Sequence, residues 1–223
     1  MTSPTITKGK GRPTEYRLAD GTRVSGVTTI LGRFKESGAL LLWAFGVGKS
    51  GASSLYEKRD EAATVGNLVH DIVESEITGS ERPAVPLDYA ERVESSLAAW
   101  HKWRQGSGLQ IVATEVPFVS EVYRFGGTVD AIALDDGKYC LLDWKTSGGV
   151  YTDYLLQLAA YKALWDEHNP NKIITGGFHL CRFSKEHGDF EHRYWPELSD
   201  AWEMFKLLVP AYELDKKVKS RAK

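Results

Sequence analysis

The sequence predicts one α/β domain: a mixed β-sheet core flanked by helices, with an N-terminal hairpin and helical extension. Three observations carry this expectation. Up to about residue 105, apolar residues recur mainly at helical spacing. Between residues 109 and 147 the period changes to two, the mark of strands with one face buried. A further helix, a second strand pair and a last helix then follow without linker or internal repeat, so helices and strands share one layered core. A chain of 223 residues can bury such a core without disulfides or a structural metal.

Residues 1–13 have no periodicity and are expected to form a mobile basic arm. TEYRLADGTRVSG places two strand-like runs around Asp20-Gly21, a hairpin signal. From Val27 to about Tyr56 the chain is apolar and glycine-studded, giving one or two helices broken near Ser37-Gly38. Asp60 is the candidate cap of a helix through AATVGNLVHDIVESEI, whose stripe is Val65, Leu68, Val69, Ile72, Val73 and Ile77, and which Gly79 and Pro83 end. Another amphipathic helix runs from Asp88 to about Gln105. LQIVATEVPFVS, YRFGGTVDAIAL and KYCLLDWKTS read as three strands, the last two joined at Asp135-Asp136-Gly137. A helix from about Thr152 to Glu167 stops at Asn169-Pro170. KIITGGFHLCRF and DFEHRYW pair across His187-Gly188, and Pro196 opens a helix to about Lys217. The expected parts are thus the arm (1–13), the hairpin and helical part (14–59), the core (60–215) and a basic tail (216–223).

Composition excludes several classes. Apolar residues are 42% and charged residues 26%, a globular balance. No run of 18 apolar residues and no secretory pattern occurs, which points to a cytoplasmic protein of a bacterial or phage-infected cell, with no membrane partner. Two cysteines, Cys140 and Cys181, cannot hold an iron–sulfur cluster. GVGKS at residues 46–50 is not an ATP-binding loop, because Trp43 stands where that pattern needs glycine. The net charge of −2 hides an asymmetry: residues 1–59 carry 10 basic and 4 acidic side chains, and residues 216–223 carry 5 basic and none acidic. Basic ends flank an acidic middle, which suits a phosphate-bearing partner held by the ends.

The chemistry concentrates in GGTVDAIALDDGKYCLLDWKTS. Asp130 lies inside one strand; Asp143 and Lys145 lie at the end of the next, after Leu141-Leu142. Carboxylates so placed are costly to bury unless a cation compensates them. Asp143 and Lys145, two apart, share a strand face. Antiparallel pairing across the tight turn brings Asp130 to Asp143. Two carboxylates beside the backbone carbonyl of Trp144 suit Mg²⁺ or Mn²⁺. A lysine there orients an attacking water and stabilises charge on a phosphoryl group. The plain alternative is a strand-end salt bridge.

This arrangement resembles the PD-(D/E)XK nuclease superfamily in its RecB-like branch, and SGVTTILG at residues 25–32 with Trp43 looks like the N-terminal part of phage exonucleases and mitochondrial genome maintenance exonucleases. The match is to GTVD at Gly127–Asp130, DWK at Asp143–Lys145, QLAAY at Gln157–Tyr161 and GNLVH at Gly66–His70. The resemblance implies a restriction-endonuclease-like fold, His70 as a further metal ligand, and Gln157 and Tyr161 flanking the site. It implies a Mg²⁺- or Mn²⁺-dependent exodeoxyribonuclease, a phosphodiester hydrolase acting on single-stranded or end-containing DNA. Products would carry 5′-phosphates. The setting would be recombination, repair or replication, with a partner protein from those processes. A structure-specific endonuclease and a DNA-binding accessory protein with weak or no cleavage are the alternatives.

Other residues carry two readings each. Glu74, one turn beyond His70, and Glu115, in the strand before the motif, are candidate outer partners of the metal ligands or ordinary acids; for Glu115 the resemblance also leaves open a direct role in the site. Gln157 and Tyr161 share a helix face and either pack on the sheet or serve the site, as catalytic residues or DNA contacts. Thr146 and Ser147 bond a phosphate or shape a turn. Lys35, Trp43, Lys49, Lys216 and Lys217 are candidate DNA contacts, Trp43 by stacking. Trp100, Trp103, Trp165 and Trp202 fall on helices and are expected in the core.

Overall fold

A computed structural model describes residues 4–7, 14–35, 38–49, 51 and 54–222. A three-stranded antiparallel sheet comes first, from β1 (Thr5–Thr7), β2 (Glu15–Arg17) and β3 (Arg23–Val24), followed by helices α1 (Val27–Phe34), α2 (Gly38–Lys49), α3 (Leu55–Thr78) and α4 (Leu87–Gly106). Then come β4 (Gln110–Ser120), β5 (Phe125–Asp135), β6 (Lys138–Lys145), α5 (Thr152–His168), β7 (Phe178–Phe183), β8 (Phe190–Trp195) and α6 (Ser199–Arg221). The main sheet has the order β4-β5-β6-β7-β8. Only β6 and β7 run parallel, as they must when α5 crosses over between them; the other neighbours are antiparallel. The expected mixed sheet is therefore present.

Each sheet face has its own core. On one, Val129, Ile132, Leu141, Phe178 and Leu180 pack under Ile30 of α1, Leu158 and Leu164 of α5 and Phe205 of α6. On the other, Ala131, Ala133, Cys140, Leu142 and Phe183 pack under Val69 and Ile72 of α3 and Val93 and Leu97 of α4. Leu141 and Leu142 go to opposite faces, as the pleat requires. Trp100, Trp103 and Trp144 form an aromatic knot with Phe183, ring centroids 5.1–6.4 Å apart, and this burial fixes the Trp144 backbone. Trp165 is buried too and Trp202 half-buried, as the helical spacing suggested.

Several boundaries differ from the expectation. Thr5–Thr7, placed in the mobile arm, pairs with β2. Helix α3 starts before Asp60: the Ser54 hydroxyl caps it by accepting the Glu57 N–H at 3.3 Å, and Asp60 sits inside the helix against Arg59. Strand β7 begins only at Phe178, because Thr175 and Gly176 both donate to the Tyr139 carbonyl and Gly177, at φ +83°, turns the chain into the sheet. Residues 216–221 are not a separate tail but the end of α6, where Asp215 pairs with Arg33 and Lys219. Among the described residues no helix is long and apolar enough to cross a membrane.

Candidate active site

The β5–β6 ladder runs from Asp135↔Lys138 to Ala131↔Leu142 and stops there. Past that point the Asp130 carboxylate takes the place of a ladder partner: its Oδ2 accepts the Trp144 N–H at 3.1 Å. Strand β6 meanwhile stays paired with β7 as far as Lys145↔Arg182. Asp143 is fully buried, and its carboxylate forms an ion pair with the Lys145 ammonium. Its Oδ1 has no hydrogen-bond donor among the described residues. Burial and the Asp130 charge push Asp143 up to about 7, against the pull of Lys145. Burial alone would lower Lys145, but the Asp143 and Asp130 carboxylates outweigh it and hold the ammonium charged.

Helix α3 brings His70 over this point. Gly66, one turn earlier, allows the approach: a Cβ there would lie 3.2 Å from Thr146 Oγ1. His70 Nε2 faces the Trp144 carbonyl at 3.2 Å, while Nδ1 faces Glu115 Oε1 at 3.6 Å and Asp130 Oδ2 at 3.9 Å. With the Nε2 proton given to the carbonyl, Nδ1 keeps its lone pair toward the two carboxylates. Burial opposes charge on this ring, yet Asp130 and Glu115 raise its pKa overall. Single ligand atoms of His70, Glu115 and Asp130 lie within 4.8 Å of one another. Of the readings open for Glu115, the geometry favours the direct one: it stands inside the cluster with His70 and Asp130. The β4–β5 register shifts between Ile111 and Ala113, and Glu115 sits at φ +48°, a strained angle for a non-glycine residue. That twist in the strand accompanies the placing of its carboxylate beside His70.

One imidazole, two grouped carboxylates and a third, buried carboxylate with one oxygen lacking a donor among the described residues form a donor set that fits a hard divalent cation. Asp143 is not in the compact group, since Lys145 holds it, and the Trp144 carbonyl is engaged by His70.

Helix α5 supplies the opposite wall. Gln157 Nε2 donates to the Tyr161 hydroxyl at 2.8 Å. The Tyr161 ring lies on Gly127, where a Cβ would meet Cε1 at 2.8 Å. Tyr161 therefore both packs on the sheet and lines the site. Burial, with Asp130 and Asp143 nearby, raises its pKa well above normal and keeps the hydroxyl protonated.

A family model described as the PD-(D/E)XK nuclease superfamily matches residues 44–206. The chain belongs to the PD-(D/E)XK nuclease superfamily. Among solved structures it is similar to a candidate exonuclease from Eubacterium rectale, with 15% identity, a TM-score of 0.48 and alignment over 66% of this chain and 65% of that one. It is also similar to an alkaline exonuclease from Laribacter hongkongensis, with 12% identity, a TM-score of 0.37 and alignment over 70% of this chain and 86% of that one. The comparison with curated proteins finds no match.

The candidate site opens into a cleft of about 830 Å³. Tyr16, Val27, Thr28 and Lys35 wall it on one side, α3 and α5 on the others. The Tyr16 hydroxyl hydrogen-bonds Thr128 Oγ1 at 3.0 Å and its ring covers Gly126, which ties the small sheet to β5. Lys35 lines the cleft and pairs with Asp153 at 3.0 Å. Thr146 and Ser147 line it too, and Ser147 also closes a turn by donating to the Gly149 carbonyl at 2.8 Å.

Other expected contacts fall elsewhere. Lys49 lies over the Phe45 ring on exposed α2, outside the cleft lining. Lys216, paired with Glu213, and Lys217 are exposed near the end of α6 and do not line it. Glu74 is half-buried on α3 and outside the lining as well. The Trp43 side chain lies outside the described residues. Two cleft cations were not anticipated, Arg59 and Lys185. Lys185 donates to the Ala62 carbonyl at 2.8 Å, and burial with the Arg92 charge lowers it to about 8. A single lysine in a turn carries no local pattern that would have marked it.

Proposed function

We propose that this nuclease is a Mg²⁺- or Mn²⁺-dependent exodeoxyribonuclease acting on DNA ends, with single strands favoured, in recombination, repair or replication. The observation that carries the reading is the His70–Glu115–Asp130 cluster in one cleft with Lys145, whose ammonium pairs with the buried Asp143 carboxylate behind it. His70, Glu115 and Asp130, with Asp143 beside them, would hold the cation, which supplies Lewis-acid polarisation of a phosphoryl oxygen and a more acidic water. Lys145, charged and aimed into the cleft, orients the attacking water and offsets negative charge on the phosphoryl group. The Trp144 N–H fixes the Asp130 carboxylate, and the Trp144 carbonyl fixes the His70 tautomer. Tyr161, protonated and held by Gln157, presents a hydroxyl on the α5 side. Attack with the 3′-oxygen leaving yields 5′-phosphates. The small sheet and α1 close one side of the cleft, which supports entry by a strand end.

The test is a time course with Mg²⁺ or Mn²⁺ on linear single strands labelled at either end, beside a circular strand. Loss of the linear strand alone, abolished by Lys145→Ala, is the expected result. Cutting of the circle identifies an endonuclease, and binding without cutting under either metal identifies an accessory protein.

A further inference from the structure

The cleft holds an aromatic pair that the chemistry above does not use. Tyr151 precedes α5 as its N-cap residue, yet its side chain makes no capping bond. It lines the catalytic cleft with 41% of its surface exposed. Tyr154 supports it edge-to-face, centroids 5.5 Å apart at 72°, and the Tyr154 N–H donates to the Tyr151 carbonyl at 3.1 Å. Lys35 Nζ stands 5.5 Å from the Tyr151 centroid and 6.0 Å from that of Tyr154, pinned by Asp153 at 3.0 Å. On the inner side, Lys145 Nζ lies 5.1 Å from the Tyr154 centroid. The open ring is thus one aromatic step from the lysine that faces the scissile phosphate.

Resting on the nuclease reading, we propose that Tyr151, backed by Tyr154 and flanked by Lys35, stacks an unpaired base of the strand being cut. Each base offers a π-face, so such a contact tolerates sequence, while Lys35 sits where an adjoining phosphate is attracted. A paired base inside a duplex has both faces covered by its neighbours. The ring therefore selects single strands, or ends that have opened, next to the scissile bond.

Binding of a short linear single strand is measured by fluorescence anisotropy in EDTA, with intact and end-abasic oligonucleotides, for the parent, Tyr151→Ala and Tyr151→Phe. Tyr151→Ala is expected to weaken intact-strand binding about tenfold and Tyr151→Phe to restore it. Removing the terminal bases should cost the parent a similar factor and Tyr151→Ala little. In cleavage, Tyr151→Ala should raise KM with kcat changed less than about twofold. An equal abasic penalty in parent and Tyr151→Ala, or no single-strand binding by the parent, overturns the proposal. If the parent binds with this base dependence but cuts no DNA under either metal, the nuclease reading fails and the stacking role stands.

Discussion

Asp130 Oδ2 accepts the Trp144 N–H at 3.1 Å where β5 and β6 part. One carboxylate thereby ends a ladder, anchors the residue between Asp143 and Lys145, and turns toward His70. Asp130→Asn can keep the accepted hydrogen bond while removing the charge. It should fold like the parent and lose about a hundredfold or more in cleavage rate. The checks are circular dichroism and the initial rate on labelled single strands; a variant that cuts at the parent rate would remove Asp130 from the site.

Glu115 at φ +48° stores backbone strain for the sake of its carboxylate. Glu115→Gly and Glu115→Ala both delete the carboxylate, but only glycine relaxes the angle. The glycine variant should be more stable than the alanine one by about 1 kcal/mol in urea unfolding. Both should bind Mn²⁺ more weakly than the parent by calorimetry. Equal stability of the two would show that the angle is not strained.

Gly127 leaves room for Tyr161, Leu164 and Val27, which a Cβ would meet at 2.8, 3.0 and 3.2 Å. Gly127→Ala should destabilise the fold by about 1–3 kcal/mol through overpacking, read from the urea midpoint. Since the shift falls on Tyr161, activity at a temperature where the variant is folded should also drop.

His179 sits between Asp135, Tyr194 and His192. Its Nδ1 lies 2.9 Å from His192 Nε2, and His192 Nδ1 accepts from Trp103 at 3.2 Å, so His192 is the donor and both rings are neutral. Burial, then the His192 neighbour, lowers His179 from 6.5 to about 4. Above about pH 6.5 neither the folded nor the unfolded chain protonates it, and stability is full. As pH falls toward 4 the unfolded chain gains a proton that the folded one refuses, so stability drops; below that no more is lost. Urea unfolding at about pH 7.5 and 5.0 should differ by about 1–2 kcal/mol from this residue, and His179→Leu should shrink the difference. An unchanged difference would exclude His179 as its source.

The resemblance to the superfamily supplied His70; the one-dimensional pattern by itself pointed to the period-two segment, the crossover helix and the Asp130, Asp143 and Lys145 set. These follow from local rules: alternation on a strand, 3.6 periodicity on a helix, and the cost of unpaired carboxylates at strand ends. What only the tertiary structure decided was the company those residues keep. Glu115 joins the cluster because of a register shift and a positive φ, neither of which a strand-like run such as IVATEVPF announces. Asp143 is held by Lys145 because burial leaves its carboxylate no water to face. Tyr151, Arg59 and Lys185 come from three separate elements and meet only when α3, α5 and the β7–β8 turn close on one cleft. The basic end beyond Asp215 reads as a tail by charge, yet Arg33 and Lys219 hold Asp215 and the helix runs on. Local sequence sets what each segment can be; contacts between residues far apart along the chain set which side chains share a site, and those depend on packing that no local pattern encodes.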